Sequence, residues 1–234
     1  MNIQFSRYIK RLLAGGIIIA IILAGLAWLR TLNKIELEFR IQLNHDLIRL
    51  SAYGEPPTFA IWLENSSGNY SNVYVTRRAF ESDWEGKPAV PVALPYWFHF
   101  DKSGKFTSSF LGTDAVSGAT PKEEYFITRV QVSPDSVYKC WIEMNLSGDY
   151  NEYYKEADPE KMTADEFGNG QPALVYCGII KARLGAATIP EIIGMSLVPD
   201  STETIIQQIS GITTANKVFR SIEVIAIRPK PKIL

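Results

Sequence analysis

Residues 12–29 read LLAGGIIIAIILAGLAWL, eighteen residues without a charge. As a helix rising about 1.5 Å per residue this run is roughly 27 Å long, enough to cross the apolar layer of a bilayer. Arg7, Lys10 and Arg11 precede it, Arg30 follows it, and Trp28 stands where an interfacial aromatic belongs. The expectation is a cytoplasmic tail over 1–11, a single transmembrane helix over 12–29, and an extracytoplasmic β-rich domain over 30–234. Basic residues alone do not orient the chain, because Arg30, Lys34 and Arg40 balance the three before the run. A short basic head ahead of a long domain does, and it puts the N-terminus in the cytoplasm and the domain on the periplasmic or extracellular side. A cleaved leader is the alternative, since Gly25-Leu26-Ala27 offers small residues at a suitable spacing, although the run exceeds the usual apolar core of a leader. Gly16, Ala20 and Ala24 form a small-residue stripe that could pack on a partner transmembrane helix.

The rest of the chain has the make-up of a folded domain. Of 234 residues 46% are hydrophobic and 21% charged, far from the signature of disorder. Lys and Arg number 24 against 25 Asp and Glu, a net charge of −1, and removing residues 1–29 leaves −4. No basic field is present to hold a nucleic-acid backbone, so nucleic acid is excluded as a partner. Two cysteines and two histidines leave little for a metal site, and no metal is expected.

Ile35, Leu37, Phe39, Ile41 and Leu43 alternate with Glu36, Glu38, Arg40 and Gln42, the period of a strand buried on one face. Further strands are expected over 58–64, 72–79, 125–132, 138–145, 172–184 and 219–227, all rich in β-branched and aromatic residues. Turn chemistry separates them at Gly54-Glu55-Pro56-Pro57, Asn65-Ser66-Ser67-Gly68, Lys102-Ser103-Gly104 and Ser133-Pro134-Asp135. Only residues 201–209 offer an amphipathic helix with a cap. The fold class expected is all-β, a two-sheet β-sandwich behind the anchor. Residues 149–166 read as a solvated acidic loop. Cys140 and Cys177 each fall in step with apolar strand residues. Two buried thiols are the alternative, but in an exported domain the expectation is that they pair as a disulfide closing a loop of about 36 residues.

No phosphate loop, serine elbow, zincin or haem motif is present, and His45 and His99 stand in contexts that suit structural histidines. One segment differs from ordinary loop sequence: Asp114-Ala115-Val116-Ser117-Gly118-Ala119-Thr120. It resembles the flavinylation motif, Asp-x-x-Ser/Thr-Gly-Ala-Thr, of the flavin-carrying subunits of sodium-pumping NADH:quinone reductases and Rnf-type complexes. The resemblance implies covalent FMN, joined through its phosphate to the hydroxyl of Thr120 by a flavin transferase. Small Gly118 and Ala119 would admit the segment to that enzyme, Ser117 would help hold the phosphate, and Asp114 would orient the turn or assist deprotonation. The chain departs from the pattern after Thr120, with Pro121-Lys122-Glu123 in place of further small polar residues. An ordinary turn is the other reading, with Asp114 as an Asx-turn residue and Gly118 at positive φ.

A second resemblance rests on Phe59-Ala60-Ile61-Trp62-Leu63-Glu64-Asn65, Ala93-Leu94-Pro95-Tyr96-Trp97, the Asp114 motif and Asn169-Gly170-Gln171-Pro172. Together they look like an uncharacterised family of bacterial periplasmic proteins, a domain of unknown function often encoded near flavin transferases. Trp97 and Tyr96, with Phe98 and Trp62, are candidates for a surface on which an isoalloxazine ring stacks. Two functions follow. One is a membrane-anchored flavoprotein relaying electrons to or from a membrane redox complex, an electron carrier rather than an independent enzyme. The other is a non-catalytic β-sandwich adaptor or binding module at the membrane surface.

Overall fold

The computed structural model describes residues 32–76, 93–106, 124–156, 168–197 and 204–229, with the short pieces 83–84, 87–88 and 116–118. The apolar run 12–29 lies almost wholly outside the described residues; positions 13, 15–17, 19 and 25, which are described, are helical. Among the described residues no helix is long and apolar enough to cross a membrane.

The domain is mostly β and is built on two sheets. The alternating segment forms β1 (Ile35–Leu43), and the described strands that follow are β2 (Thr58–Asn65), β3 (Tyr70–Thr76), β4 (Asp83–Trp84), β5 (Lys87–Pro88), β6 (Val116–Gly118) and β7 (Tyr125–Val132). Then come β8 (Val137–Asn145), β9 (Ala173–Lys181), β10 (Ala187–Thr188), β11 (Glu191–Ser196) and β12 (Phe219–Ile227). One sheet has the order β10-β12-β1-β7, the other β11-β9-β8-β2-β3-β6, and β4 and β5 pair separately. Both large sheets are antiparallel except where β6 joins β3 in parallel.

The main core lies between the two sheets. Leu37, Phe39 and Ile41 of β1 and Ile222 and Val224 of β12 share one buried cluster with Phe59 and Ile61 of β2, Ile142 of β8 and Leu174 of β9. Rings from the two sheets meet there: Phe59 lies 5.1 Å from Phe126 and 5.6 Å from Phe219, both edge-on. The polar half of β1 departs from simple alternation, because Glu36 and Glu38 are also buried. Arg129 of β7 and Arg40 both bond Glu38. Its carboxyl is desolvated, but these two guanidinium groups outweigh that and hold its pKa below the usual value.

Strand β2 reads Thr-Phe-Ala-Ile-Trp-Leu without a polar break because it is buried on both faces. Phe59, Ile61 and Leu63 face the other sheet, while Ala60 and Trp62 belong to a second buried cluster beneath the helix Pro95–Lys102. The helix makes a third layer. The helix expected over 201–209 does not form over its described part: residues 204–209 are irregular and Ile206 makes a bridge with Met195.

A polar knot closes one end. The Asp149 carboxylate accepts the Thr214 hydroxyl at 2.6 Å, and Gln171 Oε1 accepts the Thr213 N–H at 2.8 Å. Asp149 is therefore buried rather than part of a solvated acidic face, and loss of water raises its pKa against the Thr214 and Gln171 hydrogen bonds. Gly170 runs against Asp149 so closely that a Cβ would stand 2.6 Å from its carbonyl oxygen, at a φ of +71°. The Asn169-Gly170-Gln171-Pro172 segment thus has a structural role, with Asn145 Nδ2 donating to the Gln171 carbonyl at 2.9 Å.

The two cysteines do not meet. Cys140 pairs in register with Gly178 and Cys177 with Trp141 on adjacent strands, so they differ by one position and face opposite sides of the sheet. Cys140 lies in the core between the sheets, Cys177 is half-buried on the other face, and both are free thiols. This parity overturns the expected disulfide.

Candidate functional site

The helix-covered face of the six-stranded sheet gathers most of the residues singled out in the sequence. The helix begins with Pro95 at its first position, where a missing N–H costs nothing and φ is already set. Leu94 at the cap position offers no side-chain acceptor. Glu143, reaching up from β8, takes that role: it accepts the Tyr96 N–H at 3.0 Å and the Trp97 N–H at 2.6 Å. The Ser196 hydroxyl of β11 completes the set at 2.5 Å. Glu143 has no exposed surface, and removal from water pushes its pKa up to about 7 despite Ser196, Trp97 and Tyr96.

Tyr96 and Trp97 are 7% and 2% exposed, so their rings are packed against protein rather than open to a ligand. The Trp97 indole N–H donates to Asn72 Oδ1 of β3 at 2.8 Å, and Tyr96 meets Phe100 edge-on at 5.0 Å. Beneath them Trp62 stacks on Trp141 at 6.1 Å with planes 6° apart. The partly buried margin of this layer includes Trp141, Tyr70, Phe98 and Phe106, with Ile193 and Ile205. Trp141 donates to Glu64 Oε2 at 3.0 Å, and Lys139 bonds the other oxygen of the same carboxylate. His99 lies on the helix edge-on to Phe100, and His45 opens the short helix His45–Ile48.

The Asp114 motif touches this layer through the backbone. Val116, Ser117 and Gly118 form β6, paired in parallel with Tyr74, Val75 and Thr76. The turn alternative does not hold across these three residues. Val75 belongs to the aromatic layer, so the strand carrying Ser117 and Gly118 runs beside it at the edge of the sheet. Asp114, Ala119 and Thr120 lie outside the described residues. Among the described residues no group of three or more His, Cys, Asp or Glu could hold a metal ion.

Sequence reading missed Glu143 and Ser196. Lys139, Trp141, Glu143 and Asn145 look like the wet face of β8, and the one available signal was Trp141 in their midst. A helix over PYWFHFDK was also missed, because its N-terminal acceptor comes from a residue 46 or 47 positions away. The architecture defines a sandwich-like β domain with one outer face sealed by an aromatic helix. No family model matches the chain, and no curated protein or solved structure matches it.

Proposed function

We propose that this chain is a membrane-anchored, extracytoplasmic flavoprotein that carries FMN on Thr120 and relays electrons to or from a membrane redox complex. The observation that supports this best is the Asp114 to Thr120 frame together with the position of its described part on the outermost strand of a sheet. A modifying enzyme must reach its acceptor, and an edge strand is open on one side. FMN supplies the redox chemistry when bound. Thr120 would hold it through a phosphoester, and Ser117 and Gly118, paired with Val75 and Thr76 on β3, would supply backbone beside the phosphate. Tyr96 and Trp97, packed under the helix, would brace the sheet on which that strand lies rather than stack on the ring. The partners of this reading are a flavin transferase, the bilayer, and a redox complex reached directly or through a partner transmembrane helix.

Coexpression in an exporting host with a flavin transferase, its magnesium and FAD tests the reading by intact mass and peptide mapping. The expected result is an added FMN less water on the peptide containing Thr120, absent from Thr120→Val. An unmodified mass, with the transferase active on a known acceptor, overturns the flavoprotein. The burial of Tyr96 and Trp97 favours the second reading in that event, a non-catalytic adaptor at the membrane surface.

A further inference from the structure

The end of the sandwich where β1 begins is assembled from several loops. Ile35 pairs with Val132, Glu36 with Ile227, and Val137 with Lys181. The loop after β9 ties these together: Asp135 N–H donates to the Ala182 carbonyl at 2.8 Å, and Gly185 N–H donates to Ala226 at 2.9 Å. Lys34, Lys181, Arg183 and Arg228 are thereby brought to one end, with Leu32 and Leu184 beside them, 43% and 55% exposed.

The charge at this end is only partly compensated. Asp135 is shared by Lys181 at 4.0 Å and Arg183 at 3.6 Å. Among the described residues no ion pair engages Lys34 or Arg228. At the opposite end Arg49 and Arg220 are paired with Asp46 and Glu124. Even a fully extended stretch of five residues, the number from 30 to 34, reaches at most about 17 Å, so an anchored chain would hold the basic end close to the headgroups.

We propose that this end is a lipid-docking surface, on which Lys34, Lys181, Arg183 and Arg228 lie against anionic headgroups while Leu32 and Leu184 dip toward the apolar layer. It rests on the anchored reading of residues 12–29 and is independent of FMN. Basic side chains held within a Debye length of an anionic surface are drawn to it. A bilayer fits better than a protein because the chain itself arrives from that side. Docking sets the tilt of the domain and holds it down on the membrane.

The test uses the full chain in nanodiscs, in a Cys177→Ser background that leaves only the fully buried Cys140. A nitroxide is placed at Leu184→Cys, or at Leu50→Cys, which is at the opposite end and 86% exposed. In phosphatidylglycerol discs the label at 184 should be several-fold less accessible to a water-soluble nickel chelate than the label at 50. In phosphatidylcholine discs the two should be alike, and Lys181→Glu with Arg183→Glu should restore access in phosphatidylglycerol. Equal accessibility in phosphatidylglycerol overturns the surface, as does protection that ignores both lipid charge and charge reversal. A chain that fails to co-float with phosphatidylcholine discs overturns the anchor, and this proposal with it; a co-floating chain with an exposed label overturns the surface alone.

Discussion

Glu143 is a carboxylate in a place where charge is costly. Burial removes its water, and the three donors from Tyr96, Trp97 and Ser196 only partly replace it, leaving its pKa near 7 against an ordinary value of 4.5. Between those values the folded chain binds the proton more tightly than the unfolded chain. Stability from this group is therefore fullest below the lower value and falls as pH rises through the upper one. At about 1.4 kcal/mol per pH unit the loss is roughly 3 kcal/mol. Glu143→Gln keeps the shape and removes the titration. Urea unfolding from pH 4.5 to 8 should show the wild type losing about 3 kcal/mol relative to the variant; a difference flat with pH would contradict the assignment.

Elements were legible where one strand face decides the pattern. β1, β7 and β12 fall at the residues their alternation indicates, because each has one face on the common core. Strand ends were less so: β9 stops at Lys181 because Ala182 turns to bond Ser136. The helix Pro95–Lys102 escaped because its aromatic residues favour strands locally and what fixes it is Glu143, distant in sequence. Of the candidate site, Tyr96 and Trp97 were legible only as aromatic residues; their burial comes from Asn72 of β3 against Trp97 and from Trp62 of β2 and Trp141 of β8 against Tyr96, which no local pattern reveals. Register carries the cysteine prediction. With Cys140 and Cys177 on opposite faces, alkylation after denaturation without reductant should modify two thiols per chain, and in the native state Cys177 should react faster. Burial slows Cys140 and raises its pKa far above the usual thiol value. A mass two hydrogens lower with no free thiol would refute the register.

On the scale of the whole molecule the direction of the strands sets what each end can meet. β1 starts, and β12 finishes, at the basic end, where residues 12–29 would hold the domain to the bilayer. β3 runs outward from that end, and β6 runs parallel to it on the described edge of the sheet, so on the anchored reading the motif strand would lead away from the membrane. On the proposed reading a transferase would approach β6, last in the described strand order, whereas the face carrying Tyr96 and Trp97 is already closed by the helix. Topology is then decisive for the flavoprotein, since the acceptor and its enzyme must share one side. With epitopes at both termini, protease added to intact spheroplasts should destroy the C-terminal epitope and leave a short N-terminal fragment that includes residues 1–29. A C-terminal epitope protected until the cells are lysed would put the domain in the cytoplasm and overturn the orientation. A full-length domain recovered in the soluble fraction and beginning near Trp28 would establish a cleaved leader in place of the anchor.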